Sequence, residues 1–185
     1  MPRDLLLGCG SRWDWRFNVG GRSGWGERVT LDIVPTHAPD VVHDLRNPKL
    51  PFADDEFDSI HAYEVLEHIG PQGDAELMLA QFSEYWRVLK PGGFLCATCP
   101  SWRSMWAWGD PSHSRIFNRG TLYFFSQAEY TKQVGKTPMT DFRYCYRADF
   151  DLHYEKDDGE SFAFALQAVK PSRIEQRFLD GASSR

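Results

Sequence analysis

The sequence predicts an α/β protein with a doubly wound, mostly parallel sheet, a reduced number of covering helices and a C-terminal antiparallel hairpin. Short apolar runs recur between turn residues, as expected for buried parallel strands, at residues 4–7, 28–31, 40–42, 58–62 and 93–98. One segment between these runs has helical periodicity, and the last two apolar segments are joined by an Asp-Gly turn. Together these patterns favour strands connected by crossovers and closed by a hairpin.

The clearest helix is predicted over residues 73–89, where apolar side chains recur every three or four positions. Pro91 should end it because proline lacks the amide for another turn, and the two glycines that follow tolerate a helix exit. A second helix is predicted near residues 119–133. The segments before residues 41 and 58 are too short or too rich in proline for full helices, so we expect loops there.

The two strands of the hairpin are predicted over residues 142–153 and 161–169. The chain of 185 residues, 42% of them hydrophobic, is expected to form one domain over residues 1–180, with residues 181–185 as a frayed tail. No segment approaches the roughly 20 apolar residues of a membrane span, and the first leucines are too few for a signal peptide. We therefore expect a cytoplasmic protein without membrane contact.

Charge and cysteine usage narrow the classes of partner and cofactor. The net charge of −5 disfavours a nucleic-acid partner, and it leaves the oligomeric state open. Cys96 and Cys99 have the spacing of a redox or zinc motif, but residues three apart on a strand point to opposite faces. A zinc site would also need a second pair of cysteines. We therefore expect buried, reduced thiols and no metal site.

The first functional pattern is the turn Gly8-Cys9-Gly10 after the first strand, followed by Asp32 at the end of the second. Glycines let a ligand approach the backbone closely, and a carboxylate at the next strand end can accept hydrogen bonds from both ribose hydroxyls. The turn alone is equally compatible with a plain tight turn. Trp13 stands where a dinucleotide fold requires a third glycine, which makes a nicotinamide cofactor the weaker interpretation.

From Leu5 to about Phe125 the sequence resembles the class I S-adenosylmethionine-dependent methyltransferases, which are Rossmann-like, and in particular their type 11-like group. The matching motifs lie, in the family's order and spacing, at residues 7–10, 31–33, 41–45, 50–52, 55–58, 64–69 and 86–93. The resemblance implies S-adenosylmethionine as cofactor, with the methionine part on the glycines, the ribose on Asp32, the adenine amino group on Asp44 and the sulfonium above residues 63–65. The cofactor contacts it implies are Gly8, Cys9, Gly10, Asp32, Ile33, Asp44, Leu45, Tyr63, Glu64 and Val65.

Two features depart from the family pattern. Glu64 stands where related sequences often carry histidine; a carboxylate there could stabilise the sulfonium or accept a proton, or it could be a solvated residue opening a short helix. Residues 12–26 replace the usual helix after the first strand with a segment rich in Gly and Trp. We expect an irregular flap there and leave open whether it closes over the cofactor.

His113 is the histidine that we predict as a catalytic base, together with Glu64 as the second catalytic candidate. It follows the fifth strand, where class I enzymes place acceptor-facing loops, beside Arg115 and after several tryptophans. A histidine hydrogen-bonded within a packed loop is the alternative of equal weight. His68 belongs to the general motif, and we expect it to have a local structural role.

The function predicted from these patterns is methyl transfer from S-adenosylmethionine to a small-molecule acceptor. The sequence lacks the Asn/Asp-Pro-Pro-aromatic motif of amino-directed nucleic-acid methyltransferases. Cytosine-C5 methyltransferases carry their nucleophilic cysteine in a Pro-Cys pair after the fourth strand, whereas Cys99-Pro100 has the reverse order and follows the fifth strand. The alternative is a catalytically silent module that binds S-adenosylmethionine and acts as a scaffold or regulatory partner.

Overall fold

The computed structural model describes residues 1–11 and 16–174, which form a seven-stranded sheet in the order β3-β2-β1-β4-β5-β7-β6. Strands β1 to β5 pair in parallel, and β7 is antiparallel to both β5 and β6. The bounds are β1 (Arg3–Leu7), β2 (Glu27–Asp32), β3 (Val41–Val42), β4 (Phe57–Tyr63), β5 (Leu89–Pro100), β6 (Phe150–Asp157) and β7 (Ser161–Ala168). This architecture confirms the predicted fold class, including the terminal hairpin.

The long predicted helix is confirmed as α1 (Ala75–Val88). It begins where the Asp74 carboxylate accepts a hydrogen bond from the Leu77 amide, 3.0 Å away, which caps one of the free amides of the first turn. Its apolar face packs on the sheet through Phe82 and Tyr85, both 1% exposed. The helix passes directly into β5, so the proline and glycines after it lie inside a strand that is longer than predicted.

The predicted second helix is broken into α3 (Arg119–Tyr123) and α4 (Gln127–Gln133), and the short α2 (Met105–Gly109) precedes them. The break has a packing reason. Phe125 turns inward between the two helices and stacks on Phe82, with ring centroids 3.6 Å apart. A continuous helix would direct only one face to the core, whereas the break buries Phe125 completely.

Strand β6 starts at Phe150, eight residues later than the predicted strand over 142–153. The preceding residues instead form a turn in which the amides of Cys145 and Tyr146 donate to the Phe142 carbonyl. Tyr146 is fully buried by this turn. The apolar residues between Phe142 and Phe150 therefore belong to a turn that buries Tyr146, and not to a strand.

The two faces of the sheet are covered differently. The larger core lies on the face covered by α1, while the other face holds the smaller cluster of Val19, Cys96 and Ala165. Cys99 belongs to the larger core, which confirms that the two cysteines point to opposite faces. All four cysteines are free, and Cys145 corrects our expectation of buried thiols because it is exposed.

Residues 16–26 lie on the second face without forming a helix, which agrees with the predicted irregular segment; residues 12–15 of that segment lie outside the described residues. Arg22 holds this segment to the sheet by an ion pair of 2.8 Å with the fully buried Asp4. The predicted tail at 181–185 also lies outside the described residues, so the domain bounds stay a prediction. Among the described residues, no helix is long and apolar enough to cross a membrane.

Candidate functional site

A cavity of about 530 Å³ opens at the carboxyl ends of β1, β2 and β4. This volume lies within the range of about 300–1,000 Å³ typical of small-molecule sites, and the edge of the sheet is where open α/β folds bind ligands. Eight of the predicted cofactor contacts line it: Gly8, Gly10, Asp32, Ile33, Asp44, Leu45, Glu64 and Val65. The structure thus brings together the ends of three strands that are distant in sequence.

Asp32 lines this cavity and is 6% exposed. Its carboxylate accepts hydrogen bonds from the Gly10 amide at 2.9 Å and the Val34 amide at 2.8 Å. Burial alone would raise the pKa of Asp32, but these amides and the nearby His37 lower it below its ordinary value. Since a carboxylate offers about four acceptor positions, a charged Asp32 can still accept from a ribose hydroxyl.

His37 and two apolar side chains give the cavity features that match a nucleoside. The Nδ1 atom of His37 is buried without a hydrogen-bond partner, although it lies 3.2 Å from an Asp32 oxygen. Buried polar atoms without partners are rare, so a ligand hydroxyl would satisfy this nitrogen. Ile33 and Val34 are 50% and 38% exposed beside the cavity, which provides an apolar surface for a purine ring.

Asp44 lies next to Asp32 because the His43 amide donates to the Asp32 carbonyl at 2.9 Å. The Asp44 carboxylate is paired with the Arg46 guanidinium at 2.6 Å, and hydrogen bonds from that side chain lower the pKa of Asp44. It is therefore ionised, and the Arg46 amide and guanidinium together make two contacts to each of its oxygens, so an amino group could bind there only if the Arg46 side chain turned away. Arg46 itself lines the cavity and is mostly exposed.

Gly8 and Gly10 have φ values of +58° and +53°, which glycine adopts more readily than other residues. A Cβ atom on Gly8 would lie 2.4 Å from a methyl group of Val65, whereas a Cβ on Gly10 would meet nothing within 4 Å. The first glycine is thus required for the approach of β1 to β4. Cys9 between them is buried and does not line the cavity; its amide donates to the Leu31 carbonyl.

Glu64 connects the cavity at the strand ends, which we call the cofactor cavity after the predicted contacts that line it, with a second groove of about 770 Å³ on the other face of the sheet. It has a φ of +54°, and its amide donates to the Thr98 carbonyl at 2.9 Å. Such a conformation costs about 1–2 kcal/mol for a residue with a side chain and concentrates at functional sites. The strained backbone favours the functional interpretation of Glu64 over a merely solvated residue.

Tyr63 lines the second groove and not the cofactor cavity. Its hydroxyl accepts a hydrogen bond from the Phe17 amide at 2.7 Å and lies 2.5 Å from Nδ1 of His61. The opposite nitrogen of that ring lies 2.8 Å from the Ser59 hydroxyl, which in turn donates to Asp4 at 2.6 Å. Tyr63 is therefore held by a buried hydrogen-bond chain on the face opposite α1.

His113 lies behind His68 and is not among the residues that line the cavity. The two rings are in edge contact, with centroids 4.7 Å apart. His68 lines the cavity, so the histidine to which we assigned a structural role is the one that reaches the cofactor site. Arg115, the neighbour of His113 in sequence, is buried and hydrogen-bonded to Gln81, so its guanidinium is not available to a ligand in the cavity.

Glu67, next to His68, is 2% exposed and neither of its carboxyl oxygens has a hydrogen-bond partner. Burial raises the pKa of Glu67 to about 8, and the nearby Glu64 carboxylate contributes to the increase. Sequence patterns pointed to neither Glu67 nor His37 as a functional residue. Both lie in short 3-10 turns after a strand, where no periodicity reveals which way a side chain points.

Comparison with known proteins agrees with this geometry. Residues 7–97 match the family described as a methyltransferase domain. A search of curated protein sequences gives no match. The matched segment begins at the end of β1 and extends into β5, so it includes every strand end that surrounds the cavity.

Solved methyltransferases share the fold at low sequence identity. A SAM-dependent methyltransferase from Mesorhizobium loti has a TM-score of 0.55 and 15% identity, covering 89% of this chain and 90% of that chain. The methyltransferase in a complex with the Haloferax volcanii Trm112 activator has a TM-score of 0.56 and 15% identity, covering 91% and 83%. The N-methyltransferase NodS from Bradyrhizobium japonicum, in complex with S-adenosyl-L-homocysteine, has a TM-score of 0.53 and 14% identity, covering 90% of this chain and 78% of that chain.

The sheet order and the cavity at its carboxyl edge define a Rossmann-like nucleoside-binding enzyme fold. Together with the methyltransferase-domain match over residues 7–97, this fold supports a class I S-adenosylmethionine-dependent methyltransferase with S-adenosylmethionine as its cofactor.

Proposed function

We propose that the protein methylates a small-molecule acceptor that reaches the cofactor at Glu64. The observation that carries this proposal is the position of Glu64 at the meeting point of the cofactor cavity and the second groove. An acceptor in that groove would meet the cofactor beside the Glu64 side chain. The net charge of −5 continues to disfavour a nucleic-acid acceptor.

The cofactor, when bound, supplies an activated methyl group on a sulfonium. Asp32 and His37 would hold the ribose, Ile33 and Leu45 would contact the adenine, and Asp44 would accept from its amino group. Gly8 and Gly10 leave the backbone accessible to the methionine part. These contacts are arranged around one cavity, so the chain's main task is to bind and orient the donor.

Glu64 is the residue that we assign to the reacting centre. Its carboxylate would stabilise the positive sulfur and take a proton from an acceptor that must lose one. His113 was the other candidate base, and its position behind His68 leads us to assign it the support of that ring. His68 lies on the cavity wall, and His153 lines the groove that we assign to the acceptor.

Two measurements test the proposal. Calorimetry should show binding of S-adenosylhomocysteine and none of a nicotinamide dinucleotide. Transfer of a radiolabelled methyl group should then be followed over a library of small-molecule acceptors, with Glu64→Gln as the variant and Glu160→Gln, an exposed glutamate, as the matched control. Loss of transfer only in Glu64→Gln is expected. Cofactor binding without transfer to any acceptor would instead support a silent binding module.

A further inference from the structure

Three side chains beside the cofactor cavity have the composition and spacing of a metal-binding site. Glu67, His68 and His113 each offer one ligand atom, and these atoms all lie within 4.8 Å of one another. We propose that this cluster, the Glu67–His68–His113 site, binds a divalent transition-metal ion. Two imidazoles and one carboxylate form the ligand set found in catalytic zinc sites and in non-haem iron sites.

The buried carboxylate is the strongest evidence for a ligand at this place. Glu67 is 2% exposed, and both of its oxygens lack a hydrogen-bond partner. Burying a carboxylate without partners is costly, and proteins place such groups against a cation or another donor. The Glu67 oxygen nearest to a histidine lies 4.0 Å from Nε2 of His68, so a cation between these atoms would satisfy it.

Both histidines are oriented as metal ligands are. Nδ1 of His113 lies 2.8 Å from the Trp106 carbonyl oxygen, and Nδ1 of His68 lies 3.2 Å from the Ser112 carbonyl oxygen. A carbonyl only accepts, so each Nδ1 carries a proton, and the Nε2 of each ring in its neutral form keeps a lone pair for a metal ion. A hydrogen bond from Nδ1 to a backbone carbonyl is the usual support of a metal-bound histidine.

The backbone holds the three ligands together from two separate parts of the chain. The Glu67 carbonyl accepts hydrogen bonds from the amides of Ser114 and Arg115, at 2.9 and 3.1 Å. These bonds attach the loop that carries His113 to the turn after β4 that carries the other two ligands. Closing the ligands to the roughly 2.0–2.2 Å bonds of zinc then requires only side-chain adjustments.

The type of ion follows from the ligands. Imidazole nitrogen favours zinc, cobalt, nickel or iron over magnesium and calcium, which prefer oxygen ligands only. Three protein ligands leave at least one position open, and His68 borders the cofactor cavity. A bound ion would therefore present a Lewis acid at the end of the cavity where Glu64 lies. In that state the two Nε2 lone pairs are occupied, so Glu64 or solvent takes the acceptor's proton.

Metal binding can be measured without any enzymatic activity. We would titrate the metal-free protein with Co²⁺ and follow the visible absorption of the bound ion, then determine Zn²⁺ affinity by competition. One equivalent should bind, and His68→Ala, His113→Ala and Glu67→Gln should each weaken Co²⁺ binding by more than roughly 100-fold. His153→Ala, which removes an exposed histidine on β6, should bind as the wild type does.

The same samples separate this inference from the proposed function. Calorimetry with S-adenosylhomocysteine should give similar affinities for the wild type and for His113→Ala, which shows that the variant is folded. Three outcomes, each with normal cofactor binding, would overturn the metal site and leave the methyltransferase proposal standing. These are a wild type that binds no Co²⁺, a wild type that binds Mg²⁺ only, and Co²⁺ binding that is unchanged in all three variants. Metal binding without cofactor binding would do the reverse.

Discussion

At the scale of single residues, Asp32 combines a structural task with the binding task that we propose for it. Its carboxylate fixes the amides of Gly10 and Val34, and it points into the cavity with acceptor positions to spare. The sequence predicts this residue from its position after β2 together with the glycine turn after β1, because the ends of neighbouring parallel strands meet at one sheet edge. His37 beside it could not be identified, since its orientation depends on a 3-10 turn of three residues.

Asp32→Ala is expected to weaken the binding of S-adenosylhomocysteine by about 1.5–3 kcal/mol, or roughly 10- to 150-fold, through the loss of two hydrogen bonds to a charged group. Calorimetry measures this directly. Asp40→Ala is the matched control, because Asp40 accepts from the Thr30 amide and hydroxyl at 2.8 Å and does not line the cavity. Equal affinities for the Asp32 variant and the wild type would remove Asp32 from the site.

Glu64 gives a second prediction at this scale, because its backbone conformation favours glycine. Glu64→Gly should leave the free energy of unfolding unchanged or raise it by up to about 1 kcal/mol, while methyl transfer is lost. Glu76→Gly, in the first turn of α1, should instead cost about 1 kcal/mol because glycine weakens a helix. Urea denaturation of both variants makes the comparison. A similar loss of stability in the two would show that Glu64 is not strained.

At the scale of elements, the close approach of β1 and β4 depends on Gly8. Gly8→Ala should destabilise the fold by more than about 1 kcal/mol, because the new methyl overlaps Val65 and the φ of +58° is unfavourable. Val65→Ala should relieve the overlap, with a coupling free energy of at least about 0.5 kcal/mol in a double-mutant cycle. Urea denaturation of the four proteins gives this value.

Gly10→Ala provides the control for that cycle. Its Cβ would meet no atom within 4 Å, so this substitution costs only the free energy of an unfavourable backbone conformation. It should therefore not couple to Val65→Ala. If both glycines couple to Val65 to the same extent, the packing explanation is wrong and the effect is one of backbone conformation.

The elements also show which parts of the fold the sequence could predict. Strands β1, β2, β4, β5 and β7 and helix α1 follow from buried runs and helical periodicity, because each is long enough to bury one continuous face, whereas the start of β6 was predicted eight residues too early. The break between α3 and α4 could not be predicted, since it depends on Phe125 stacking on Phe82 from a distant segment. The same holds for the Glu67–His68–His113 site, which requires hydrogen bonds between the turn after β4 and the loop after β5.

At the scale of the whole molecule, the main difference from a regular doubly wound fold is the segment that covers the second face of the sheet. Residues 16–26 pack there without a helix, over the buried chain of polar groups that includes Asp4, Ser59, His61 and Tyr63. The hydrogen bonds between these polar groups all run in one direction. Tyr63 donates to Nδ1 of His61, whose Nε2 donates to Ser59, which donates to the Asp4 carboxylate. A protonated His61 would break this order.

Stability should consequently fall as the solution becomes acidic. Burial, with Arg16 and Arg22 adding to it and Asp4 opposing it, lowers the pKa of His61 from 6.5 to about 3. Between these values the unfolded chain binds one proton that the folded chain does not, so the free energy of unfolding decreases as pH falls. The loss through this residue is about 2 kcal/mol between roughly pH 7 and pH 5. Urea denaturation at both pH values measures it, and His61→Gln should remove this part of the pH dependence.

The control for the pH dependence is His153→Gln, which changes an exposed histidine and should keep the full decrease. NMR gives a second readout that does not require the His61 variant to fold. The His61 ring resonance of the folded wild type should show no titration between about pH 8 and pH 5, because the neutral ring is fixed on both sides by hydrogen bonds. A ring that titrates near its ordinary pKa would mean that the second face of the sheet is open to water.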